Sequence, residues 1–379
     1  MRRFIPVNEP LIVKHDISSV KKILEEGWIS AEGPNVRNFE NKFSKFIGHK
    51  YGVTVTNGTA ALEIAVQSLN LPKNSEVIIP NFTIFSNAIA CLKNNLKIIP
   101  IDCSKFDWNM NLQLILKNIS SKTKLIIATH IYNYPLEIDK LKKICKKNKI
   151  LLLEDAAEVF GQKYKNKMCG SFGDLSTYSF YANKQITTGE GGMITTNSKK
   201  LYEKIKNLRN LSFGKKNRFN HEDISSNNRM SNIQATLGLS QLIRIKDIVK
   251  KRHLIGAKYF KYLKKNSNIY IPEPERKFAK NIYWVVGVLI TNTNLNIDAQ
   301  YVMKKLKEKR IGTRPFFWPM HKQKMLKNYN FYNSKKYANS EYICKYGFYL
   351  PSSLSLKNDE IEYISKCVNE IINSKLSKK

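Results

Sequence analysis

Short runs of aliphatic and β-branched residues alternate along this chain with longer stretches whose apolar positions recur every three or four residues. The short runs are "GVTVT" (52–56), "EVIIP" (76–80), "KIIPI" (97–101), "KLIIAT" (124–129), "ILLLE" (150–154), "STYSF" (176–180) and "GMITT" (192–196). Their length and side chains predict strands. Between them, "TAALEIAVQSLNL" and "LEIDKLKKICKKNK" are apolar at i, i+3 or i+4 and predict helices. Strand and helix repeated in this way predict an α/β fold, a mainly parallel sheet with helices on both faces. The last two runs lie too close for a crossover helix, so part of the sheet is expected to be antiparallel.

The texture changes from about residue 200. "SNIQATLGLSQLIRIKDIVKKRHLIGAKYFKYLKKN" predicts one long helix, apolar on one face and basic on the other. It leads into a unit with the strand-like "NIYWVVGVLI" and helices around 298–309 and 359–374. The expected division is 1–246, an N-terminal arm and large domain, and 247–379, a smaller C-terminal domain.

No apolar run approaches the roughly eighteen residues needed to cross a bilayer. The start, "MRRFIPVNEPLIV", meets a proline and an acid before any apolar run develops, so a signal peptide is not expected. These features predict a cytoplasmic protein with no membrane partner. The formal charge of +34 invites a nucleic-acid reading, but the lysines are spread along the chain among many Asn and Ile. That diffuse pattern predicts no nucleic-acid partner, though its field would draw in an anionic substrate. The stretches "KKICKKNK" and "KKLKEKR" read as wet helix faces. Six cysteines without a C-x-x-C support neither a metal site nor a disulfide framework.

The strand ends carry the chemistry. After "GVTVT" come Gly58 and Thr59 at the start of a good helix, whose free N–H groups can hold a phosphate. Asp155 follows "ILLLE", at the carboxyl end of a buried strand, and Ser179 lies in "STYSF" five residues before Lys184. Taken singly, each has a plain structural role: a connection, a helix N-cap, one solvated lysine among 64 basic residues. Together they match the needs of pyridoxal 5′-phosphate. That cofactor requires a lysine for covalent attachment, a carboxylate facing its pyridine nitrogen, and a cup of N–H and hydroxyl donors for its phosphate. His130, after "KLIIAT", reads as a hydrogen-bonded structural residue.

The blocks "IPVNEPLI", "GWISAEGPNVRNFENKFSKFIG", "TNGTAAL", "EDAAEVFG", "SFYANKQITTGEGGM", "NNRMSNIQATLGLSQL" and "RPFFWPMH" span nearly the whole chain. On these the sequence resembles the DegT/DnrJ/EryC1/StrS sugar aminotransferases, and within that family the perosamine-forming type. The resemblance implies a fold-type I pyridoxal-phosphate transferase. Lys184 would hold the cofactor covalently, Asp155 would face the pyridine nitrogen, and Glu158 would stand near the ring. Gly58, Thr59 and Ser179 would bind the phosphate, and Asn228 would reach the neighbouring subunit's site, which implies a homodimer with shared active sites. Ile84 occupies a position where relatives often place an aromatic ring, and Asn133 one where glycine is common. In the related 3-dehydratases the lysine is a histidine; lysine here favours amino transfer.

Arg314, Trp318 and His321 lie in "GTRPFFWPMHKQ". Their chemistry suits a phosphate and a sugar or base, or equally an aromatic core edge, and the resemblance favours substrate contact. The expected reaction moves an amino group from glutamate to an anionic, nucleotide-linked keto sugar, first C4 of GDP-4-keto-6-deoxymannose. A smaller phosphorylated ketone, a UDP- or dTDP-linked sugar, and a non-catalytic cofactor-binding relative are the alternatives.

Overall fold

The computed structural model describes residues 3–132, 134–214, 217, 219–329 and 336–374; Asn133 lies outside them. Seven strands form the main sheet: β1 (Tyr51–Val55), β2 (Glu76–Pro80), β3 (Lys97–Ile101), β4 (Thr123–Thr129), β5 (Leu151–Asp155), β8 (Leu175–Ser179) and β9 (Gly192–Thr196). Each begins within a residue of its predicted run. The hairpin β6 (Lys163–Tyr164) and β7 (Lys167–Met168) interrupts the series. The sheet order is β1-β9-β8-β5-β4-β2-β3. From β8 to β3 every pairing is parallel, while β9 runs antiparallel to both β8 and β1.

Side chains alternate between two apolar layers with the strand period of two. Ile78, Ile126, Leu152, Tyr178 and Met193 face one layer, with Phe39 and Phe43 of helix α2 (Pro34–Ile47). Val77, Ile79, Leu125, Ile127, Leu153, Leu175 and Ile194 face the other. There they meet α3 (Gly58–Ser68) and Ala88, Ala90 and Cys91 of the helix Ser86–Lys93. The large unit is therefore an αβα sandwich.

The long helix expected from residue 231 is two, Asn232–Ile243 and Ile245–Leu263, broken at Arg244 (φ −95°, ψ 6°). Arg244 turns away to reach Asp16 Oδ2 at 2.8 Å and the Leu11 carbonyl at 3.4 Å, which anchors the N-terminal segment. The second of these helices joins the two cores: Ile245 and Ile248 belong to the sandwich, Ile255, Tyr259 and Leu263 to a separate cluster. That cluster packs against a four-stranded antiparallel sheet built from Ile269–Tyr270, Val286–Ile290, Gly347–Leu350 and Arg314–Pro315. Ile5 of the N-terminal arm is buried in the same cluster and bridges to Ile311.

Candidate active site

Strand register builds the site. Both β1 and β8 run antiparallel to β9 between them, so they point the same way. Val55, Gly192 and Ser179 lie in one cross-strand row, and Asp155 pairs with Thr177 of β8. The carboxyl ends of β1, β5 and β8 thus open at one sheet edge, the place where open α/β sheets bind ligands. They open into a cavity of about 620 Å³, within the range of small-molecule sites. Gly58, Thr59, Ile84, Asp155, Glu158, Ser179, Lys184 and Asn228 all line it.

One end suits an anion. Asn57 caps α3, its Oδ1 accepting from Ala60 N at 2.8 Å. The N–H groups of Gly58 and Thr59 then have no protein acceptor among the described residues and face the cavity at a helix N-terminus. Ser179 closes this cradle. A Cβ on Gly58 would stand 2.8 Å from Ser179 Cβ, so only glycine allows the approach. Thr59 Oγ1 bonds Ser86 Oγ at 2.7 Å, and both side chains line the cavity. Asn228 Oδ1 accepts from Thr56 Oγ1 of its own chain at 3.3 Å.

The opposite wall suits a cation. Asp155 is buried and accepts from Ala157 N (3.3 Å), Asn87 Nδ2 (3.2 Å) and Thr129 Oγ1 (3.4 Å). Burial raises its pKa despite these donors and the nearby Lys184 charge. A protonated ring nitrogen would relieve that penalty, so the carboxylate fits the group that the sequence assigned to it. Glu158 is also buried and accepts from Tyr132 N at 2.6 Å; burial raises its pKa, with Lys184 and the Tyr132 N–H opposing. Its neighbour Tyr132 sits at φ +53°, a left-handed conformation unusual for a bulky residue. It is held by that bond, by a ring stack on Phe317 at 5.0 Å, and by the Phe317 N–H donating to its hydroxyl at 3.2 Å.

Lys184 is half-buried, and its Nζ lies 3.7 Å from the centre of the Trp284 ring. Desolvation lowers its pKa to about 8, against the raising effect of Glu158 and Asp155. A lysine so shifted is available as a neutral nucleophile and base near physiological pH. Ile84 stands at the cavity wall, 45% exposed, as an aliphatic surface for a flat ring.

Arg314, Trp318 and His321 are not among the lining residues. Arg314 is exposed and pairs with Tyr349, which does line the cavity. Trp318 is exposed, its Nε1 donating to the Lys322 carbonyl at 3.2 Å. The His321 ring sits between Asn81 and Glu341 Oε1, each within about 3 Å, and stacks on Tyr337. His130 is structural. Its Nδ1 accepts from Leu136 N at 3.0 Å, so its proton is on Nε2, directed at Glu154 Oε2 at 3.1 Å. Asn87, Trp284, Phe317 and Tyr349 belong to the site without having been singled out from sequence.

The sandwich, the lysine beside two buried acids and the anion cradle define a fold-type I pyridoxal-phosphate-dependent aminotransferase. Residues 10–369 match the DegT/DnrJ/EryC1/StrS aminotransferase family, and the chain belongs to that family. It is 35% identical over 376 residues to the GDP-perosamine synthase of Escherichia coli O157:H7, covering 98% of this chain and all of that one. It is 30% identical over 369 residues to the GDP-perosamine synthase of Vibrio cholerae, covering 97% and 99%. In fold it is similar to Helicobacter pylori PseC, an aminotransferase involved in the biosynthesis of pseudoaminic acid, with TM-score 0.92, 24% identity, and 98% and 100% of the two chains covered.

Proposed function

We propose that this enzyme transfers an amino group from glutamate to C4 of GDP-4-keto-6-deoxymannose, for surface polysaccharide synthesis. The 30–35% identity to GDP-perosamine synthases, over nearly the whole chain, is the observation that supports the acceptor. The bound cofactor supplies an aldehyde that accepts the donor's amine and a cationic ring that takes up electrons from the substrate carbon. Gly58 and Thr59 N–H, with Ser179, would hold its phosphate. Asp155 would keep its ring nitrogen protonated, positioned by Asn87 and Thr129. Lys184, once displaced by the amino donor, would move the proton at the reacting carbon as general acid and base. Phe317 and Tyr349 would wall the reacting end, with Tyr132 stacked on Phe317.

A homodimer with shared sites belongs to the same proposal. Ile17, Leu24, Trp28 and Ile29 near the N-terminus, and Phe219, Ile224 and Ile243 near the Asn228 segment, are large apolar side chains at the surface. Their exposure would suit a partner that covers these segments. Light scattering should give twice the chain mass.

The deciding experiment offers the pyridoxamine form of the enzyme a panel of keto acceptors: the GDP-linked sugar, UDP- and dTDP-linked sugars, and a small phosphorylated ketone. Fastest return to the pyridoxal form is expected with GDP-4-keto-6-deoxymannose. No turnover of it beside turnover of another acceptor would reassign the substrate.

A further inference from the structure

Trp284 and Arg252 have no part in the cofactor cradle just described, yet the Trp284 ring lies against Lys184 and Arg252 bonds the Trp284 carbonyl. Trp284 is held from two sides. Its Nε1 donates to the carbonyl of Asn183, the residue before Lys184, at 3.0 Å. Its own carbonyl accepts from Arg252 Nη1 at 2.9 Å and from Ser352 Oγ at 3.4 Å. Arg252 is 2% exposed; its Nη1 donates to the carbonyls of Trp284 and Tyr283, and its Nε has no partner among the described residues. No carboxylate lies within ion-pair distance of it among the described residues. A buried cation bonded only to carbonyls is costly where an apolar side chain could fill the space. What this one provides is a fixed backbone behind the indole.

We infer that Trp284 is a positioning residue for Lys184: its indole face holds the ε-amino group whenever that group is not bonded to the cofactor, and Arg252 clamps Trp284 for that task. Tryptophan offers the strongest aromatic face to a cation, more so where water is excluded. The free lysine gains one resting place instead of many rotamers, a saving in the entropy that ordering would otherwise cost. Asp155 at the end of β5 and Glu158 in the turn beyond it attract the ammonium, and Arg252 repels it. Glu63, Tyr178, Tyr181, Glu190 and Tyr349 are the other titratable groups that line the cavity. The ring favours the charged form, so its loss moves the lysine's midpoint downward.

The inference rests on Lys184 being the reactive lysine, and its test is independent of the acceptor. Full-length chain freed of cofactor is treated with acetic anhydride across a pH series, and modification of the Lys184 peptide is read by mass spectrometry. Half-maximal reactivity is expected near pH 8 in the native chain. It should fall by roughly one pH unit in Trp284→Leu, and Trp284→Phe, which keeps an aromatic face, should recover most of the difference. Equal midpoints in native and Trp284→Leu would overturn the inference. Tryptophan fluorescence of the native chain gives a second reading that needs no change at position 284. A step is expected at the same pH in the native chain and absent in Lys184→Met; no step, or one that survives Lys184→Met, would also overturn it. Failure of the GDP-linked acceptor would leave both titrations unchanged, and flat titrations would leave the acceptor untouched.

Discussion

A single methyl group at position 58 would push apart the two halves of the anion cradle. In Gly58→Ala the new Cβ would stand 2.8 Å from Ser179 Cβ and 3.2 Å from its Oγ, where ordinary contact begins at 3.4 Å. The helix N-terminus and the end of β8 must therefore separate by about 0.6 Å. A donor that held phosphate at about 2.9 Å would then stand near 3.5 Å, beyond effective hydrogen bonding. Each such bond to a charged group is worth about 1.5–3 kcal/mol, so losing one weakens cofactor binding by roughly 10- to 150-fold. The assay compares pyridoxal 5′-phosphate with pyridoxal, by absorbance titration. Because the damage is at the phosphate, affinity for the phosphorylated form should fall while that for pyridoxal stays within a few-fold. The double variant Gly58→Ala with Ser179→Gly removes the clash but also the hydroxyl, and should recover melting temperature more than phosphate affinity. Native discrimination between the two vitamers in Gly58→Ala would refute the placement of the phosphate.

Other consequences concern the acids. Asp155→Asn keeps the shape but not the charge, and should lower transamination at least 100-fold while unfolding within about 2 kcal/mol of the native chain by denaturant titration. Glu158→Gln retains an acceptor for Tyr132 N–H but removes a charge that raises the Lys184 pKa. The alkaline rise of Lys184 reactivity should begin at lower pH in that variant; an upward shift would contradict the assignment. Glu154 accepts from Gly170 N (2.9 Å), Phe172 N (2.6 Å) and Gly173 N (2.6 Å) besides His130. Burial works against its charge, yet His130 and these donors hold its pKa below the ordinary value. Its stabilising contribution is therefore present above the unfolded pKa and lost as pH falls through the folded one. Glu154→Gln should cost about 3–5 kcal/mol at neutral pH, and the gap in melting temperature should narrow on acidification.

The sheet was legible because each strand is a short apolar run bounded by turn residues, and Asp155, Ser179 and Lys184 follow directly from strand ends. Register was not. Nothing local says that β9 enters between β1 and β8, although that insertion brings Gly58 to Ser179. The break at Arg244 escaped the helical period, and the Asp16 carboxylate that its side chain reaches lies 228 residues away in sequence. Arg252 lies in the stretch expected to be basic on one face and is buried, since helix polarity reveals one stripe but not what a second set of elements covers. Asn87 lies 68 residues before the carboxylate it orients. Trp284, inside a strand-like run, carried no mark beyond its aromaticity.

Borohydride reduction of the pyridoxal-phosphate-loaded enzyme, before and after glutamate, bears most directly on the central claim. Peptide mapping should place the reduced cofactor on Lys184 before glutamate is added, and leave that peptide unlabelled afterwards, with the cofactor released as its amine. A label on another lysine, or one on Lys184 that glutamate leaves undiminished, would contradict the account.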